Sequence, residues 1–126
     1  SVVVYYAPFE KSRIKEMAED FPDYANFLLS INERVWDQLG LFKECFNDHR
    51  LVLSKSIKVV LPTFVPELSY KLLNVQKGDQ AQLEWRKMID LKWEPSKEKL
   101  ANDLKAYCRL DTLAMVKLHD FLGSLV

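Results

Sequence analysis

The sequence predicts an α/β fold, mostly helical, with one or two short parallel strands. Three observations predict it. The run Val2-Val3-Val4-Tyr5-Tyr6 shows no alternation of apolar and polar residues, which marks a strand covered on both faces. Pro8 then opens a helical pattern, and a covered strand leading into a helix is half of a strand-helix-strand unit. The chain closes on one long amphipathic helix, in which Leu100, Leu104, Tyr107, Ala114, Leu118, Leu122 and Leu125 recur at steps of three and four with one longer step.

The elements follow in order. Residues 8–21 read as a helix whose stripe is Glu10, Ile14, Met17 and Phe21. Phe21-Pro22-Asp23 breaks it, and Pro22 can start a second helix with the stripe Tyr24, Phe27, Leu28 and Ile31. Arg34-Val35-Trp36 is short and suits a second strand. Asp37 caps a helix carrying Leu39, Phe42, Cys45 and Phe46. Asn47-Asp48-His49-Arg50 is a polar loop. Ser56 caps a helix from Ile57 to Leu61 that Pro62 stops. Pro62 and Pro66 make the middle of the chain an irregular connector. Lys77-Gly78-Asp79 is a turn, and Leu83, Met88 and Leu91, with Trp85 beside them, suggest a helix over roughly 79–91. Pro95 opens the last helix, about 95–124.

Composition narrows the class. At 126 residues this is one domain's worth of chain, and 48% apolar content supports a packed core. The formal charge is zero, from 18 basic and 18 acidic residues, which argues against holding nucleic acid by bulk charge but leaves room for a local basic rim. Cys45 and Cys108 have no paired spacing and give neither a disulfide framework nor a zinc signature, so reduced thiols in a cytoplasmic protein are expected. No run reaches membrane-spanning length. The chain opens directly on a strand that needs neighbours on its edges, so a piece of a longer protein is expected, with partner strands upstream.

Two acids stand on apolar stripes. Asp111 fills the gap in the last helix, four residues after Tyr107 and three before Ala114. A carboxylate there is costly unless something cationic or hydrogen-bonded meets it. Spacing of four puts Tyr107 and Asp111 on one helix face. Asp can ligate a hard divalent cation, and a tyrosine hydroxyl beside it can position a water. The structural alternative is a core Tyr beside an Asp paired to Arg or Lys from another helix. Glu10 follows the first strand, close to where α/β sheets place their ligand sites. Its structural alternative is a first-turn acid complementing the helix dipole.

Motifs carry a family resemblance. Tyr5-Tyr6-Ala7-Pro8-Phe9-Glu10-Lys11-Ser12-Arg13-Ile14 looks like the second motif of the DEDD 3′–5′ exonucleases, and Tyr107-Cys108-Arg109-Leu110-Asp111-Thr112 resembles their third motif in its tyrosine form. Val35-Trp36-Asp37-Gln38-Leu39 is similar to the strand-end D-x-L of this ribonuclease H-like fold. The whole chain also resembles the C-terminal part of an uncharacterised bacterial domain family, through the series Phe9 to Arg13, Ser56 to Pro62, Leu68 to Lys71 and Tyr107 to Met115. The resemblance implies a ribonuclease H-like fragment in which Glu10 and Asp111 are metal ligands and Tyr107 orients the attacking water. It also implies Mg²⁺ or Mn²⁺ as cofactor and a nucleic acid, DNA or RNA, as partner. The sequence departs from the pattern in two ways. The second motif usually has Asp where Glu10 stands and often Asn at Tyr6 or Ala7. The first motif, D-x-E, does not precede Glu10, so the chain alone is expected to be inactive.

Lesser candidates have bland readings beside functional ones. His49 and His119 read as surface residues. Asp37 reads as a helix cap more than a ligand. Lys11, Arg13, Lys55 and Lys58 suit phosphate contacts or a solvated face alike. Trp36, Trp85 and Trp93 suit base stacking, or core packing as the better reading. Self-association as a homodimer through the strand at residues 2–6 is expected. The alternative function is a non-catalytic helical interaction module whose acids are structural.

Overall fold

The computed structural model describes residues 1–90 and 95–126. It falls into two compact units, Ser1–Val60 and Leu61–Val126. The result is a mostly helical chain with one short two-stranded parallel sheet, a mixed α/β architecture.

The first unit opens with β1 (Val2–Val4), which runs through Tyr5 and Tyr6 into α1 (Ala7–Asp20). A 3₁₀ turn at Pro22–Tyr24 leads into α2 (Ala25–Glu33), which returns along α1 to β2 (Val35–Asp37). β1 and β2 pair in parallel, with Val2 opposite Val35, Val3 opposite Trp36 and Val4 opposite Asp37. The predicted strand-helix-strand logic therefore holds, with two helices in the crossover. The strand is shorter than the apolar run. Tyr6 adopts φ 82°, a left-handed conformation that ends extended structure. Coverage is also thinner than expected, since only Val4 of β1 is fully buried.

α3 (Gln38–Glu44) follows β2 and supplies the centre of this unit. Phe42 is completely buried, with its ring 6.3 Å from that of Tyr5 and 5.0 Å from that of Phe46. Leu51 and Val60 are buried too. The α1 stripe runs differently from the sequence reading. Ala18 is its buried residue, while Met17 and Phe21 are about half exposed. The row is thus Glu10, Ile14, Ala18, at steps of four, and Glu10 is half-buried at its start.

α4 (Ile57–Phe64) joins the units, and the division between them falls inside it. Pro62 does not stop it as the sequence suggested. The helix runs two residues further, and the Val65 amide still bonds to the Leu61 carbonyl at 2.7 Å. A proline inside a helix costs ~3 kcal/mol through a lost hydrogen bond and ring clash. Here Val60, Leu61 and Val65 are all buried, and that burial offsets the cost.

The second unit contains a 3₁₀ turn at Tyr70–Leu72, α5 (Gly78–Asp90) and α6 (Pro95–Gly123). Its core is Leu61, Val65, Tyr70, Val75, Tyr107, Ala114 and Leu118. Phe64 stacks on Phe121 with centroids 4.7 Å apart. α6 obeys the predicted stripe as far as Leu122, with Tyr107, Ala114 and Leu118 buried and Leu100, Leu104 and Leu122 half-buried, but Leu125 lies past the end of the helix and is exposed. α5 forms where expected but buries no residue fully: Leu83, Trp85 and Ile89 are each more than half exposed. Leu91 and Trp93, named in the sequence reading, lie outside the described residues. Among the described residues no helix is long and apolar enough to cross a membrane.

Candidate functional site

Among the described residues, the anomalous acid of α6 is met by two phenols and by no cation. Asp111 is half-buried between Tyr107 and Ala114 on the buried stripe. The Tyr70 hydroxyl, 41 residues away in sequence, donates to Asp111 Oδ1 at 2.5 Å. Tyr107, one helical turn back, is also hydrogen-bonded to the Asp111 carboxylate. The two tyrosine rings lie 6.1 Å apart at 56°, a tilted aromatic contact. No ion pair among the described residues engages Asp111.

Two consequences follow for the chemistry. A carboxylate offers roughly four acceptor positions, and two phenol donors leave about half of them open. Among the described residues, neutral donors also leave its negative charge uncancelled, which an Arg or Lys would not. The second consequence concerns Tyr107. Burial first, then the Asp111 charge and hydrogen bond, with smaller contributions from Cys108 and Asp79, hold its phenol protonated well above the ordinary tyrosine range. Its hydroxyl lies by the start of α5, where a Cβ on Gly78 would sit 3.8 Å from the Tyr107 oxygen. The cluster is therefore a charged acceptor with a proton held beside it.

Glu10 belongs to the first unit, in the first turn of α1. Tyr107 and Asp111 belong to the second. Among the described residues, no group of three or more His, Cys, Asp and Glu side chains could hold a metal ion. Asp111 and Glu10 each carry a hard oxygen donor of the kind Mg²⁺ or Mn²⁺ prefers.

Asp37 has the structural role foreseen for it, and a second one besides. Its Oδ1 accepts from the Leu39 amide at 3.0 Å, capping α3. The same oxygen accepts from the Tyr6 amide at 2.9 Å, and Oδ2 accepts from the Ala7 amide at 2.8 Å. One carboxylate at the end of β2 thus secures the starts of two helices and holds Tyr6 in its left-handed conformation. The sequence pattern showed the cap on α3. The tie to α1 arises from the strand pairing, which places Asp37 opposite Val4.

An open cleft of about 380 Å³ lies at the carboxyl ends of the strands, lined by Tyr5, Tyr6, Leu39, Lys43, Lys55, Ser56 and Ile57. Lys55 is occupied there. Its Nζ donates to the carbonyls of Lys43 and Phe46 at 3.0 and 3.2 Å, closing the end of α3, and its own carbonyl accepts from the Tyr5 hydroxyl at 2.6 Å. Arg13 pairs with Glu16 and lies over the Phe9 ring at 5.6 Å. His49 is exposed next to Asp48, and His119 is exposed on α6. Trp36 and Trp85 are partly to half exposed, so neither is a core residue. Cys45 and Cys108 are free, exposed thiols. Tyr70 is the residue sequence reasoning passed over. It stood inside the Leu68–Lys71 series but carried no periodic signal, because it sits in an isolated turn.

Comparison with known proteins gives a family setting without an activity. Residues 1–56 match the family described as "Domain of unknown function (DUF2779)". Over its whole length the chain is 33% identical to an uncharacterised protein of Mycoplasma pneumoniae, 30% to one of Ureaplasma parvum and 29% to one of Mycoplasma genitalium. It spans 21% of the length of each of these curated relatives. No solved structure matches it. The chain is thus similar along its entire length to uncharacterised bacterial proteins and, over its first 56 residues, to a bacterial domain family of unknown function.

Proposed function

We propose that the chain is the C-terminal part of a ribonuclease H-like nuclease domain. The intact protein would be a DEDD 3′–5′ exonuclease of the tyrosine type, hydrolysing phosphodiester bonds in nucleic acid with two Mg²⁺ or Mn²⁺ ions. One observation carries this reading: Asp111 stands on a buried stripe, and among the described residues it is bonded to neutral hydroxyls with no cation against it. Such a carboxylate is poised for a cation. The assignment of Glu10 rests on its motif. The remaining ligands, the D-x-E pair among them, belong to other parts of a longer protein, consistent with relatives nearly five times as long. This chain alone is inactive in this reading.

The chemistry divides as follows. Bound ions supply Lewis-acid charge for water activation and for the leaving oxygen. Asp111 would hold such an ion through its carboxylate. Tyr107 keeps a proton on its Oη, held there by burial and by Asp111, and so can orient a water by donating to it. The test is hydrolysis of an end-labelled single-stranded oligonucleotide by the intact protein with and without Mn²⁺. Metal-dependent shortening that falls at least about 100-fold in Asp111→Asn is expected. Turnover that survives Asp111→Asn, or no hydrolysis in any metal, overturns the reading.

A second reading, a non-catalytic helical module with structural acids, is favoured by Asp37, whose three bonds among the described residues go to backbone amides. Melting temperature separates the two. Mn²⁺ raises it for the nuclease by mass action on the folded state and leaves it unchanged for the module.

A further inference from the structure

We infer that Tyr70 is a positioning residue for Asp111, fixing the carboxylate by a hydroxyl delivered from a rigid turn. This rests on the nuclease reading and names a residue that the motif resemblance does not assign. Tyr70 is 3% exposed, so its hydroxyl must find its partner inside the protein. It finds Asp111 Oδ1. The turn that carries Tyr70 is stitched in place. Ser69 Oγ accepts from the Lys71 amide at 3.2 Å, and the Leu73 amide returns to the Tyr70 carbonyl at 3.0 Å. The Gln76 side-chain amide donates to the carbonyls of Lys71 and Leu73 at 3.2 and 2.9 Å. Val75, just beyond, is 2% exposed and anchors the segment in the core.

This arrangement has a physical logic. Asp111 lies on a helix and has two side-chain torsions of its own. One phenol, on its own helix, would limit one of them. A second phenol from a separate, rigid turn fixes the plane of the carboxylate while adding no charge. A metal ligand needs its lone pairs held in direction, and groups bonded to a ligating carboxylate supply that. A purely packing role would be served by Phe in the same slot, without a hydroxyl to desolvate.

The experiment compares the intact wild-type protein with Tyr70→Phe and Asp111→Asn, titrating Mn²⁺ into each by calorimetry, with far-UV circular dichroism to check the fold. Tyr70→Phe should keep its fold and bind Mn²⁺ about 10- to 100-fold more weakly, and Asp111→Asn should lose binding. A merely structural tyrosine would lower the melting temperature and leave Kd alone. If Tyr70→Phe binds within about twofold of wild type while Asp111→Asn does not bind, the positioning role is overturned and the nuclease reading stands. If wild type binds Mn²⁺ no better than Asp111→Asn, the nuclease reading fails and takes this inference with it. If the Phe variant does not fold, 3-fluorotyrosine at position 70 keeps the shape and changes donor strength. A Kd within about twofold of wild type then overturns the role, and a larger shift supports it.

Discussion

Replacing Asp37 with Ala tests the structural account most sharply, because one side chain secures three backbone amides. The Leu39 and Ala7 amides are partly buried and lose a charged acceptor, at about 1 to 1.5 kcal/mol each. The Tyr6 amide is exposed and can turn to water, so its bond adds only about 0.5 kcal/mol. The first unit should therefore lose about 3 kcal/mol, a large share of a marginal stability. Asp37→Asn keeps one oxygen for Tyr6 and Leu39 and loses the Ala7 bond, so it should cost about 1 kcal/mol. Urea unfolding gives the totals. Amide hydrogen exchange gives the location, since the Ala7 and Leu39 amides should lose protection in Asp37→Ala before any amide of the second unit does. A loss under about 1 kcal/mol for Ala, or equal losses for Ala and Asn, would refute the double-cap reasoning.

Two further predictions concern stability. Burial first, and the nearby Asp37 charge second, hold the Tyr5 phenol protonated well above its ordinary value near 10. The unfolded chain ionises near pH 10 and the folded one does not. The contribution of Tyr5 is thus complete below about pH 10 and falls as pH rises beyond it. Urea midpoints across that range should decline for wild type and decline less for Tyr5→Phe; identical slopes would count against it. Pro62→Ala restores an amide to the interior of α4 and should raise stability by about 1 kcal/mol, less than a full proline penalty because Ala loosens the unfolded chain. A fall in the urea midpoint would mean that the proline ring's packing outweighs its missing hydrogen bond.

Long-period patterns were legible in the sequence, and local geometry was not. The α6 stripe and the position of Asp111 within it were readable because burial on one helix face repeats. β1 was readable from an unalternating apolar run, and β2 only as the short stretch Arg34-Val35-Trp36. The α1 stripe was misplaced because Met17 and Phe21 are apolar yet half exposed, while small Ala18 takes the buried position. Pro62 misled because propensity yields to tertiary burial on both sides of it. The candidate site was half legible. Tyr107 and Asp111 share a helix and announce each other by spacing. Tyr70 reaches Asp111 from a short turn across 41 residues, and no local pattern encodes such a meeting.

The central claim is that the Asp111 carboxylate is a cation ligand. Crystals of the intact protein soaked in Mn²⁺, with anomalous diffraction recorded near the manganese edge, test it directly. The account predicts an anomalous peak within bonding distance of an Asp111 carboxylate oxygen, with Tyr70 still donating to that carboxylate. Manganese bound elsewhere with Asp111 touched only by its two tyrosines would contradict it.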